Sequence, residues 1–215
     1  MVASFSDWMR ERSEPDWTQV IAHPFTDSVF YGAVPDNLMR SYLVQDYQFL
    51  DAFVALLGAA LARADQYASR LRIAGSIAVV TSDENTYFQR AFDALDVPDE
   101  DRTEPALDPA TVAFRDLMFD TAERGSYPEV LTVLTVAEWT YLEWASRAPQ
   151  TLPESFVHAE WVSLHNSSEF RAWVDWLRSD LDRVGGELDE RDQARCLRLF
   201  QQATHLEQEF FDTHW

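Results

Sequence analysis

The chain has 215 residues, 47% of them hydrophobic, and a formal net charge of −20 at pH 7. That is enough apolar material for one substantial core, with nothing in the composition that demands a second. That charge argues against nucleic acid or an anionic membrane as a partner, because neutralising phosphates takes clustered Lys and Arg; here all 17 basic residues are Arg and Lys is absent.

The single cysteine, Cys196, rules out an internal disulfide and a cysteine-built zinc cluster, and its charged neighbours mark it as a helix filler rather than a nucleophile. No run of about 18 apolar residues occurs, and the segment from Met1 to Trp8 lacks a basic patch followed by an apolar stretch. The expectation is one domain over residues 1–215, working in the cytoplasm without a membrane partner. An acid-rich, lysine-free surface also fits a protein that works in concentrated salt, where self-repulsion is screened.

Taken in order, the pattern predicts helices throughout, since period-3.6 stretches recur and no sustained period-two run supports a sheet. A short helix spans about Ser4 to Arg12. A second begins near Asp16 and is interrupted at His23-Pro24, because proline disfavours helix in the residue before it. Phe25 to Tyr31 ends at Gly32, a helix stop. Val34-Pro35-Asp36 opens a long helix to about Ala62, with Leu43, Asp46, Tyr47, Leu50 and Phe53 along one side. Asp65 to Leu95 forms another helix, or a broken pair with Gly75 as its weak point. Val97 to Pro109 reads as a surface loop. Further helices are expected at Pro109 to Arg124, Tyr127 to Arg147, Phe156 to Leu164, Ser168 to Arg183 and Asp189 to Trp215, with Gly185-Gly186 as a flexible joint.

Three carboxylates fall on apolar helical faces: Asp46, Glu138 and Glu207. Glu138 shares a stripe with Leu131, Leu134, Tyr141 and Ala145. Pattern alone leaves it either at the rim of the helix, reaching solvent, or inside a site. Carboxylates that converge in a semi-apolar cavity raise one another's pKa, so that one serves as acid and another as base. In a chain with 37 acidic residues, ordinary solvated carboxylates produce similar spacings by chance. Of the five histidines, His165 pairs with Glu169 at i, i+4, but a helix boundary near Asn166-Ser167-Ser168 spoils the pair, and no further ligand set points to a metal. The one glycine pair precedes an acidic run that repels phosphate. Most of the aromatic residues belong to the core, and a few could sandwich a flat ring.

Several segments, in order, resemble the TenA family of thiaminase II-like aminopyrimidine hydrolases. They are His23-Pro24-Phe25, Gly32-Ala33-Val34-Pro35, Tyr42-Leu43-Val44-Gln45-Asp46-Tyr47, the helix with Glu138, Trp139 and Tyr141, the segment from Trp161 to Phe170, and Glu207 followed by Phe210. The resemblance covers essentially the whole chain. It implies an all-α, haem-oxygenase-like multi-helix bundle, assembled as a homotetramer of paired dimers, that acts on a small pyrimidine without a metal or organic cofactor.

The resemblance also implies roles for particular residues. Asp46 matches the aspartate that binds the aminopyrimidine edge, and Glu207 matches the general acid/base. Tyr141 and Phe210 match residues of the ring pocket. Phe49, Phe114 and His165 stand where many members carry tyrosine, which alters the polar half of the pocket. The position of the family's cysteine reads Ala137, followed at once by Glu138. That is similar to a cysteine-less, glutamate-type branch associated with salvage of thiamin breakdown products. The implied reaction converts an aminomethylpyrimidine, directly or starting from its N-formyl derivative, to hydroxymethylpyrimidine.

Three other readings accompany this one. A haem-oxygenase-like di-iron oxidase could use Glu84 and Glu138, but Phe88 stands where such proteins resemble one another in carrying histidine. A cofactorless oxidase resembling the PqqC group fits less well, since its basic, histidine-rich pocket has no counterpart. A protein that binds pyrimidine without turning it over is the non-catalytic reading.

Overall fold

A computed structural model describes residues 4–215, so the reading of Met1 to Ala3 lies outside the described residues. Among these residues there are helices and no strand. In chain order they are α1 (Phe5–Glu11), α2 (Asp16–Ile21), α3 (Pro24–Phe30), α4 (Asp36–Tyr47), α5 (Phe49–Arg63), α6 (Tyr67–Val79), α7 (Asn85–Ala94), α8 (Asp99–Thr103), α9 (Pro109–Arg124), α10 (Tyr127–Ala145), α11 (Phe156–Asn166), α12 (Ser168–Gly185) and α13 (Glu190–Thr213).

Local chemistry fixes many of the helix ends. Ser126 N–H donates to Glu129 Oε2 at 2.7 Å, and Pro128 sits in the first turn, so α10 starts on a capping box. Ser167 Oγ accepts from Phe170 N–H at 3.1 Å and opens α12, which leaves His165 in the last turn of α11 and detached from Glu169. At the end of α3, Gly32 takes a left-handed φ of 62° while Ala33 N–H reaches Ser28 O at 2.9 Å. That is a helix stop in the Schellman manner, and glycine adopts it without steric cost.

Helix α10 runs through the centre, packed by α2, α5, α9, α11, α12 and α13. All but four of its 19 residues are buried, as expected for a helix that is apolar nearly all round. One apolar cluster gathers around it from α5, α9, α12 and α13, with Leu57, Leu134, Val174 and Phe200 as members. A second, richer in rings, joins α3, α4, α7, α11 and the ends of α10 and α13 through Phe25, Tyr42, Phe88, Trp161 and Phe211.

The structure corrects several expected boundaries. The helix expected to run to Ala62 breaks at Gln48, whose N–H bonds to Gln45 O at 3.1 Å. This tight turn involves neither glycine nor proline, which is why no sequence signal marked it. The helix expected from Asp65 starts at Tyr67 and passes through Gly75 unbroken. Its interruption lies instead at a π-helical turn, Val80–Glu84. There Thr81 Oγ1 and Ser82 Oγ donate to the carbonyls of Ile77 and Ala78 at 2.8 and 2.7 Å, supporting the backbone around the wide turn. The presumed loop after Val97 contains α8, and α11 extends to Asn166. Gly185 is no joint: a Cβ there would come within 2.0 Å of Phe5 Cδ1, so the missing side chain lets α1 pack against the end of α12.

Candidate active site

Phe49 and Leu50 pack against both core clusters, and where the clusters meet they help enclose a cavity of about 70 Å³. At about 10–15 Å³ per water, this holds roughly five waters, on the order of 150 Å³ of liquid. Four carboxyl groups face it: Asp46 from α4, Glu84 from the π turn, Glu138 from α10 and Glu207 from α13. Phe49, Phe53, Phe114, Met118 and Trp161 supply apolar wall, while Tyr141 and His165 complete the polar part. Glu138, left open between rim and interior by the pattern, is 9% exposed and lines the cavity.

The carboxyls differ in their partners. Asp46 Oδ1 accepts from the Tyr141 hydroxyl at 2.9 Å, Tyr141 and Tyr42 share a bond at 3.0 Å, and Trp161 Nε1–H donates to the Tyr42 hydroxyl at 3.2 Å. Since the one Tyr141 hydroxyl hydrogen goes to Asp46 and indole can only donate, the chain of bonds runs one way, from Trp161 through Tyr42 and Tyr141 to Asp46. Glu138 Oε1 accepts from Trp173 Nε1–H at 2.7 Å. Glu84 and Glu207 receive no hydrogen bond from any described residue.

Burial pushes Asp46 up to about 7, against the opposing pull of the two tyrosines. It raises Glu138 likewise to about 7, against the Trp173 bond. Glu84 and Glu207 lie well above the usual carboxyl range, first through burial and second through the neighbouring carboxylates. The sequence expectation therefore had the effect right and its main cause wrong. Loss of hydration outweighs mutual repulsion in every case. His165 is held neutral, its pKa lowered to about 4 by burial. Its Nδ1–H donates to Trp161 O at 2.8 Å, which leaves Nε2 as the acceptor.

Of the residues singled out from sequence, Asp46, Phe49, Phe114, Glu138, Tyr141, His165 and Glu207 meet at this cavity. Phe210 does not line it. Fully buried, it stands behind Phe49 with ring centroids 4.9 Å apart and supports the wall rather than forming it. Ala137 lines the cavity beside Glu138, whereas Cys196 lies in the first core cluster with its thiol pushed up to about 11 by burial. Trp173 and the Tyr42 relay were missed, because nothing in a helical pattern reveals which ring nitrogen or hydroxyl meets a distant carboxyl. Glu84 had been considered only as a metal ligand. Among the described residues no group of three or more His, Cys, Asp or Glu is placed to hold a metal ion.

Residues 10–215 match the TENA/THI-4/PQQC family. The chain belongs to this family. The aminopyrimidine aminohydrolase of Halalkalibacterium halodurans is 24% identical over 214 residues, covering 97% of this chain and 94% of that protein. The aminopyrimidine aminohydrolase of Helicobacter pylori is 22% identical over 210 residues, 96% of each chain. Among solved structures, a TenA family transcription regulator from Silicibacter sp. superposes with a TM-score of 0.88 at 20% identity, covering 99% of this chain and 96% of that one. A TenA homologue from Pyrococcus furiosus gives 0.88 at 20% identity, covering 98% and 100%. The fold is the all-α, haem-oxygenase-like bundle of TenA proteins. No helix among the described residues is long and apolar enough to cross a membrane.

Proposed function

We propose that the chain is a cytoplasmic aminopyrimidine aminohydrolase of thiamin salvage, converting an aminomethylpyrimidine to hydroxymethylpyrimidine and ammonia, and that residues 1–215 act as one domain. The observation that carries this reading is the convergence of Asp46, Glu138 and Glu207 on one aromatic-walled cavity, in a chain whose relatives are named for that activity. The cavity volume suits one substituted ring better than the two rings of intact thiamin.

In this reading Asp46 faces the amidine-like edge of the ring. A carboxyl there accepts from the 4-amino group and shares a proton with the ring nitrogen, which fixes the ring's orientation. A pKa near 7 lets that proton sit on either side. Glu138, oriented by Trp173, takes a proton from water as the water oxygen bonds to the methylene carbon. The C–N bond breaks, and Glu207, kept protonated by burial, delivers its proton to the departing nitrogen, which leaves as ammonia. The two glutamates thus exchange acid and base roles once per turnover, and water resets them. Phe49, Phe114 and Trp161 exclude bulk water and offer faces to the ring.

Turnover of aminomethylpyrimidine, its N-formyl derivative and thiamin, followed by product analysis, tests the assignment. Glu138→Gln and Glu207→Gln should each lower kcat about 10²–10⁴-fold. Near wild-type turnover by Glu138→Gln would sink its role, and binding without product would leave a pyrimidine-binding protein.

The homotetramer belongs to the same proposal. Tyr67, Leu71 and Val79 on α6 are 71%, 57% and 55% exposed and offer apolar surface for contacts between copies. Light scattering decides: a mass of 24.8 kDa means a monomer and ends the idea.

A further inference from the structure

The catalytic reading leaves one carboxyl without a task. Glu84 closes the π-helical turn between α6 and α7 and faces the cavity that Asp46, Glu138 and Glu207 share. Asp46 and Glu138 each have a donor from the protein, the Tyr141 hydroxyl and the Trp173 indole. Glu84 and Glu207 have none among the described residues, although Glu207 is only 2% exposed. A carboxyl that faces a cavity without a donor, as the buried Glu207 and the half-buried Glu84 both do, is completed by a ligand that brings donors of its own.

The cavity lining also contains no Arg, and its one basic side chain, His165, is neutral through its bond geometry and burial. Four acids with no counter-ion, in a chain of net charge −20, leave the site ready to ionise towards a cation, while a neutral ligand draws no charge from it. The side arm of an aminomethylpyrimidine is a primary amine, cationic in neutral water, and an ammonium presents three N–H donors and no acceptor. The product's hydroxymethyl arm is neutral and presents one donor. The site's unfilled acceptors therefore match the substrate's arm and not the product's.

We propose that Glu84 selects the protonated side-arm amine, so that this site takes a cationic aminopyrimidine in preference to a neutral one. The inference rests on the aminohydrolase reading and names the protonation form in which its substrate is bound. The arriving cation opposes the burial that keeps Glu84 protonated in the empty site, so Glu84 ionises as the amine binds and becomes its counter-ion. Return of one ammonium proton to Glu84 then leaves the neutral amine, and Glu207, still protonated, supplies the proton on which C–N cleavage draws. Exchange of the amine for a hydroxyl removes the attraction and favours release of product.

The test compares wild type with Glu84→Gln, which keeps shape and removes charge, by measuring affinity for aminomethylpyrimidine and for hydroxymethylpyrimidine as a product inhibitor. A charged hydrogen bond of this kind corresponds to about 10- to 100-fold in affinity. The variant is expected to lose that much for the amine and to hold the neutral product within about threefold, which also shows that its pocket is intact. Equal loss for both molecules, or no loss for the amine, overturns the role of Glu84 while wild-type turnover leaves the aminohydrolase reading standing. A wild-type protein that neither binds nor turns over the amine ends both.

Discussion

Asp46 and Glu138 both titrate near 7, yet each is held by a different donor, and the two can be separated experimentally. The Tyr141 hydroxyl favours ionised Asp46, so Tyr141→Phe removes a stabiliser of the charged form and lifts Asp46 above its present value of about 7. Where kcat/KM depends on ionised Asp46, its acid limb moves to higher pH in the variant. A pH–rate profile reads this directly, and an unmoved limb rules out the dependence. Sequence showed Asp46 and Tyr141 as candidates on separate helices. It could not show that they touch, because they stand 95 positions apart and the bond depends on how α4 and α10 dock. Phe210 illustrates the converse: its type and place promised a pocket wall, and packing placed Phe49 in front of it.

At the level of elements, two breaks in the helices orient the site. The tight turn at Gln48 separates α4, which carries Asp46, from α5, which carries Phe49, Leu50 and Phe53, so that one cavity receives side chains from both. The π turn at Val80–Glu84 ends with Glu84 facing the same cavity. Thr81 and Ser82 are poor helix formers by type, but only their bonds to the carbonyls one turn back show the widened turn. The opposite case is Gly185, where the expected flexibility is replaced by close contact with Phe5. Gly185→Ala should therefore destabilise the fold by about 1–3 kcal/mol, the usual cost of overpacking. Chemical denaturation would show it, and unchanged stability would mean that α1 shifts aside freely.

Across the whole molecule, the raised carboxyls reverse the usual acid response. Asp46 and Glu138 have folded pKa values of about 7, above their ordinary values near 4. The folded state therefore binds more protons than the unfolded chain between about pH 4 and 7, and stability falls as pH rises through that window. For Glu138 alone the linkage is on the order of 3 kcal/mol above pH 7. Self-repulsion at a net charge of −20 acts in the same direction. Tm is expected to be higher at pH 5 than at pH 8, and at pH 8 to rise from dilute buffer to molar KCl as salt screens the repulsion. A Tm that is higher at pH 8 contradicts the linkage, and one indifferent to KCl removes the case for a saline habitat. Glu138→Gln, which loses turnover in the proposed mechanism, should at the same time raise Tm at pH 8, since a site held in a costly state for chemistry is stabilised when the chemistry is removed.

The sequence by itself determined the helical class and most helix ends, because periodicity and caps are local properties of the chain, and net charge, an additive property, set the expectation against a nucleic-acid partner. It also determined which residues were worth watching, since a carboxyl on an apolar stripe is visible without any coordinates. Tertiary structure alone decided whether Glu138 was rim or interior, which carboxyls received donors and which were left without, and where Glu84 pointed. Those outcomes depend on the meeting of α4, the π turn, α10 and α13 around one small volume. Burial there sets the proton affinities more strongly than any neighbour in sequence does.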